Sequence, residues 1–128
     1  MHRPVYASLA IALGVLTLGA CSAAGSSGST HAALSAAAAA QHIGEKATVC
    51  GVVASAHYAE NIKRQPTFVN LDQPYPHPVF TILIWGDYRD RFATPPETWH
   101  GRICTTGVIS AFHGKPEMKV ISPSQISH

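Results

Sequence analysis

Lys46-Ala47-Thr48-Val49-Cys50-Gly51-Val52-Val53-Ala54-Ser55-Ala56-His57-Tyr58 is the stretch on which the reading of the fold turns. It is rich in valine and β-branched residues and has no proline, so it predicts one long strand. Gly51 inside it marks a bulge or a sharp bend. A second long segment, Arg102 to Phe112, has the same character and its own central glycine, Gly107. Three shorter strands complete the set: Thr67 to Asp72, Val79 to Trp85 and Glu117 to Ile121. The connections differ in kind. Ala59 to Pro66 is a polar loop, and Gln73 to Pro78 holds three prolines and cannot be a paired central strand. Asp87 to Phe92 is short and charged and predicts one helical turn, broken at Thr94-Pro95-Pro96. His113-Gly114-Lys115-Pro116 reads as a tight turn.

Upstream of the first strand the composition changes. Ala33 to Ala40 is an alanine-rich run ending near Gly44, which predicts a short helix. Ala23 to Thr30 is a low-complexity tether of Ala, Gly, Ser and Thr. Before it, Val5 to Ala20 is apolar over about 16 residues, short of the ~20 of a membrane span but long enough for an export signal. The run ends in Leu18-Gly19-Ala20-Cys21. These four residues resemble the lipobox of bacterial lipoproteins. The resemblance implies cleavage before Cys21, acylation of Cys21 and a firm membrane anchor. Ser22 after the cysteine implies sorting to the outer membrane, facing the periplasm. The expected organisation is a signal peptide at 1–20, the acylated cysteine and tether at 21–32, and one domain at 33–128.

Export alters how the other cysteines read. In an oxidising compartment Cys50 and Cys104 tend towards a disulfide. They lie in two strand-like segments, and their thiols meet only if those strands are neighbours. The alternative is two buried free thiols. No CxxC or HxxxH spacing points to a metal. Charge excludes more. The 128 residues carry nine Lys and Arg against seven Asp and Glu. Arg3 goes with the leader, leaving a net charge of +1, far from the basic balance of a phosphate-backbone binder.

Five strands, two of them long and bent at glycines, with a connector between the third and fourth, follow the plan of an OB-fold barrel. The residues carrying the likeness begin with Ile43-Gly44, Val49 to Val53 and Pro66 to Leu71. Tyr75-Pro76, Phe80 to Ile84, Phe92, Gly107-Val108-Ile109 and Gly114 to Glu117 complete it. Together they resemble the small bacterial OB-fold domains attached to secreted nucleases and described as nucleic-acid binding. The likeness spans about residues 42 to 126. It implies an all-β, five-stranded barrel with a short N-terminal helix and a short helical connector between strands three and four. It also implies that the first and fourth strands are antiparallel neighbours, and hence that Cys50 pairs with Cys104.

OB-folds take ligands on the face of strands two and three, between the first-to-second and fourth-to-fifth loops. The resemblance therefore implies a site built from His57, Tyr58, Lys63, Arg64, Asn70, Phe112, His113 and Lys115. Rings stack on bases and cations meet phosphates, so single-stranded nucleic acid is one expected ligand. Against it, Glu60 and Glu117 lie close by and blunt the positive potential. The same positions also read as solvated loop charges and barrel caps. Among the domain's histidines, His57, His77, His100 and His113 give no third ligand to a pair, so no metal and no cofactor is expected. No serine elbow, P-loop or HExxH is present, and no enzyme activity is expected. Two readings remain: an envelope-anchored binding module for nucleic acid or another extended polymer, and an interaction module for a protein partner or the cell wall.

Overall fold

The computed structural model describes residues 32–128, together with Gly14 and Gly19. The expected signal peptide, the acylated Cys21 and the tether lie outside the described residues, those two glycines and Ala32 apart. The structure is mostly β. Its strands are β1 (Leu34–Ser35), β2 (Lys46–Tyr58), β3 (Thr67–Leu71), β4 (Phe80–Ile84), β5 (Arg102–Phe112), β6 (Lys115–Lys119) and β7 (Ile126–Ser127). They form one mixed sheet in the order β1-β2-β3-β4-β6-β5-β7, and β2 also pairs with β5. The pairings thus run from β2 through β3, β4, β6 and β5 and return to β2.

The two long strands make this return possible by changing partners midway. Lys46 to Val52 of β2 pair with β5, and Val53 to Tyr58 pair with β3. Arg102 to Val108 of β5 pair with β2, and Ile109 to Phe112 pair with β6. Each change falls one residue after a glycine. At Gly51 a Cβ would lie 3.0 Å from the Leu71 Cβ and the Asp72 Oδ1, so β2 crosses β3 where a side chain does not fit. The register irregularity itself comes slightly later, between Val53 and Ser55.

Cys50 and Cys104 are directly opposed on β2 and β5 and form a disulfide. Inside the ring lie Val49, Val69, Leu71, Phe80, Ile82, Ile84, Ile103, Ile109 and Met118, all fully buried. They alternate with outward residues on the short strands, as a one-sided sheet requires. Trp99 is buried against Phe92, edge to face at 5.4 Å, and its indole N–H donates to Thr94 Oγ1 at 3.2 Å.

Three expectations are revised. There are seven strands, not five, because both ends of the described chain add a two-residue strand. Leu34 and Ser35 run parallel to Val49 and Cys50, and Ile126 and Ser127 pair with Thr105 and Cys104. The alanine run forms a five-residue 3₁₀ helix, Ala37–Gln41. Its start is drawn into β1 pairing, and the Ala36 N–H donates to the Cys50 carbonyl at 3.1 Å. The last long-range strand begins at Lys115 and not Glu117, since the β5–β6 turn is only His113-Gly114, with φ of 50° and 76°. Positive φ at both positions is what a two-residue hairpin demands, and glycine meets it at the second. The connector between β4 and β5 holds one helical turn, α1 (Gly86–Arg89), and a 3₁₀ turn, Pro96–Thr98.

Candidate functional site

The outward residues of β2, β3, β4 and β6 meet in register. Ser55 faces Asn70, Asn70 faces Thr81, and Thr81 faces Glu117. Side-chain period and strand register therefore put four polar groups in one row across the sheet. The row is hydrogen-bonded with a direction. Thr81 Oγ1 donates to Asn70 Oδ1 at 2.9 Å, and Asn70 Nδ2 donates to Ser55 Oγ at 3.0 Å. The Tyr75 N–H donates to the same Ser55 oxygen at 3.2 Å and so fixes the proline-rich loop over the row.

This row is the floor of a cleft of about 680 Å³. One wall is the β2–β3 loop, through Ala59 and Ile62. Another is the β3–β4 loop, through Tyr75, Pro76 and Pro78, with a cis Tyr75-Pro76 peptide. The β5–β6 turn closes the third side with Phe112, His113, Lys115 and Pro116. The rings of Phe112 and His113 meet edge to face at 4.1 Å. Lys115 Nζ reaches across to the Pro76 carbonyl at 3.0 Å and ties two walls together.

Of the residues expected to form the site, His57, Asn70, Phe112, His113 and Lys115 line this cleft. Tyr58, Lys63 and Arg64 do not. Tyr58 follows His57 on a strand and so points to the other face, where the Arg89 guanidinium lies over its ring at 4.2 Å. Arg89 in turn is ion-paired with Glu97, whose hydrogen bond raises its pKa further. Arg64 adopts φ of 66° and covers the Trp85 ring at 4.2 Å. Lys63 is exposed on the loop.

Of the floor, only Asn70 was expected as a site residue. Ser55, Thr81 and Glu117 carry no local signal beyond strand alternation. Their grouping depends on the register of four strands. Tyr75 was not among the expected site residues, although the proline-rich segment that carries it cannot continue a central strand. The chemistry of the cleft follows from these residues. Tyr75 and Phe112 are 79% and 62% exposed, large apolar rings held at its rim. Glu117 is only 8% exposed, and burial pushes its carboxyl above the ordinary range, with Lys119 pulling the other way. Among the described residues no group of three or more His, Cys, Asp or Glu is placed to hold a metal, and no helix is long and apolar enough to cross a membrane.

No family model matches the chain, and no curated protein matches it. A solved structure does: OBody AM1L10 bound to hen egg-white lysozyme. The two chains are 20% identical, with a TM-score of 0.50. The match covers 73% of this chain and 88% of the other. At that identity the likeness concerns the fold.

Proposed function

We propose that this chain is a non-catalytic binding module of the cell envelope. In this reading β2, β3, β4, β5 and β6 form a five-stranded OB-fold barrel, fringed by β1 and β7, with α1 and the Pro96–Thr98 turn as its helical connector. Acylated Cys21 anchors it to the outer membrane, facing the periplasm. Its ligand is an extended segment of a partner protein, held in the cleft. The observation carrying this is the place and make-up of the cleft. It lies on β3 and β4 between the β2–β3 loop and the β5–β6 turn, where OB-folds take their ligands. Its walls are aromatic, aliphatic and proline, and its one lysine already donates to a backbone carbonyl. Such a surface gains from burying an uncharged chain and offers little to a polyanion. The OBody of similar fold is itself bound to a protein, hen egg-white lysozyme.

A second reading, single-stranded nucleic acid, is favoured by the exposed rings of Tyr75 and Phe112, on which bases stack. Two experiments separate the readings. A photo-crosslinking residue in place of Ile62 is expected to capture a discrete envelope polypeptide, and Phe112→Ala to abolish the capture. Fluorescence anisotropy with labelled single-stranded DNA is expected to show no binding at low salt. Salt-sensitive DNA binding in the cleft would replace the first reading with the second. Radiolabelled palmitate is expected to enter the protein and to be lost in Cys21→Ala.

A further inference from the structure

The polar row on the cleft floor is satisfied at one end and open at the other. Ser55 accepts two hydrogen bonds, Asn70 accepts one and donates one, and Thr81 has its proton committed to Asn70. Glu117 comes next in register and is more than nine-tenths buried. Among the described residues its carboxylate takes no hydrogen bond and enters no ion pair, and only its backbone carbonyl accepts, from Ser110 Oγ at 3.3 Å. Lys115, two residues away on the same side of β6, is turned to the Pro76 carbonyl. Lys119, two residues the other way, is exposed and gives only a through-space attraction. Glu117 lines the cleft, so a cation entering it meets a carboxylate that no described residue has already paired.

We propose that Glu117 is the specificity residue of the cleft, receiving the ammonium or guanidinium group of a lysine or arginine on the bound protein segment. This rests on the cleft being the protein-binding site argued above. The charge is complementary, so a cation gains a charge-assisted hydrogen bond that an apolar side chain lacks. The rings of Tyr75 and Phe112 border the same space, and cations rest favourably on aromatic faces. The apolar walls meanwhile suit the methylene stem of such a side chain. The cleft thus selects a basic residue in an otherwise uncharged stretch.

The test uses blocked pentapeptide pools with mixed neutral flanks and a fixed centre of lysine, arginine or norleucine. They are titrated into the isotope-labelled full-length protein and followed by NMR. The basic pools are expected to bind about tenfold tighter than the norleucine pool, and Glu117→Gln to erase the difference. The side-chain carboxyl carbon of wild-type Glu117 is expected to shift with the basic pools alone. That resonance decides the matter even if the glutamine variant does not fold. Equal binding of all three pools in the cleft, or a stationary Glu117 carboxyl, would overturn the specificity role and leave the cleft as a protein-binding site. Absence of any cleft perturbation by all three pools at millimolar concentration would overturn both.

Discussion

At the residue scale, two positions carry most of what is unusual here. Glu117 is a carboxyl raised above its unfolded value by burial. Such a group takes up a proton on folding, so the folded state is favoured at low pH. It loses ground as pH rises from the ordinary carboxylate range through the raised value. Glu117→Gln stays neutral throughout. It is therefore expected to raise the melting temperature at pH 7, with the gain shrinking towards pH 4; an equal difference at both pH values would contradict this. Gly51 is the second position. An added Cβ meets Leu71 in the core and Asp72, whose Oδ1 accepts from the Val52 N–H at 2.9 Å. Neither moves freely, so Gly51→Ala is expected to cost about 1–3 kcal/mol in urea unfolding. At Gly107 a Cβ would meet Gln125 Nε2 and Met118 Sδ at 3.1 Å, and both are held, Gln125 by its hydrogen bond to the Thr106 carbonyl and Met118 by full burial. Gly107→Ala is accordingly expected to cost a similar amount.

At the element scale, β2 and β5 govern the architecture, since each belongs to two sets of pairings. The disulfide between them closes a loop of 54 residues in sequence separation. Replacing both cysteines by alanine is expected to remove about 2–4 kcal/mol of stability, read by urea unfolding, through the unfolded chain's regained freedom. Both long strands were legible end to end, because stretches rich in β-branched residues and free of proline favour extended backbone. Lys115 and Pro116 were read as turn, since proline usually ends a strand. In the structure Pro116 pairs with Ala111 one residue before β4 joins β6, a position where a missing N–H does least harm. The 3₁₀ helix at Ala37–Gln41 shows the converse. Alanine propensity predicts helix, and tertiary pairing of Leu34 and Ser35 with β2 limits how much forms.

At the scale of the whole molecule, the stacked arginines and the cleft lie apart. Arg64 and Arg89 cover Trp85 and Tyr58, whereas the cleft holds one lysine and one buried carboxyl. Neutralising Lys63 and Arg64 together is expected to leave peptide binding in the cleft within about twofold, because neither lines it. Tyr75→Ala or Phe112→Ala is expected to weaken the same binding about tenfold or more. Isothermal titration with the basic pentapeptide pools checks both. By itself the sequence determined the five longer strands and the glycines at the two crossings, because β-branching, glycine and proline act locally; the meeting of Cys50 and Cys104 needed the pairing of β2 with β5. Tertiary structure alone decided the cleft floor. Ser55, Asn70, Thr81 and Glu117 come from four strands, and only their register brings them into line beneath the cleft.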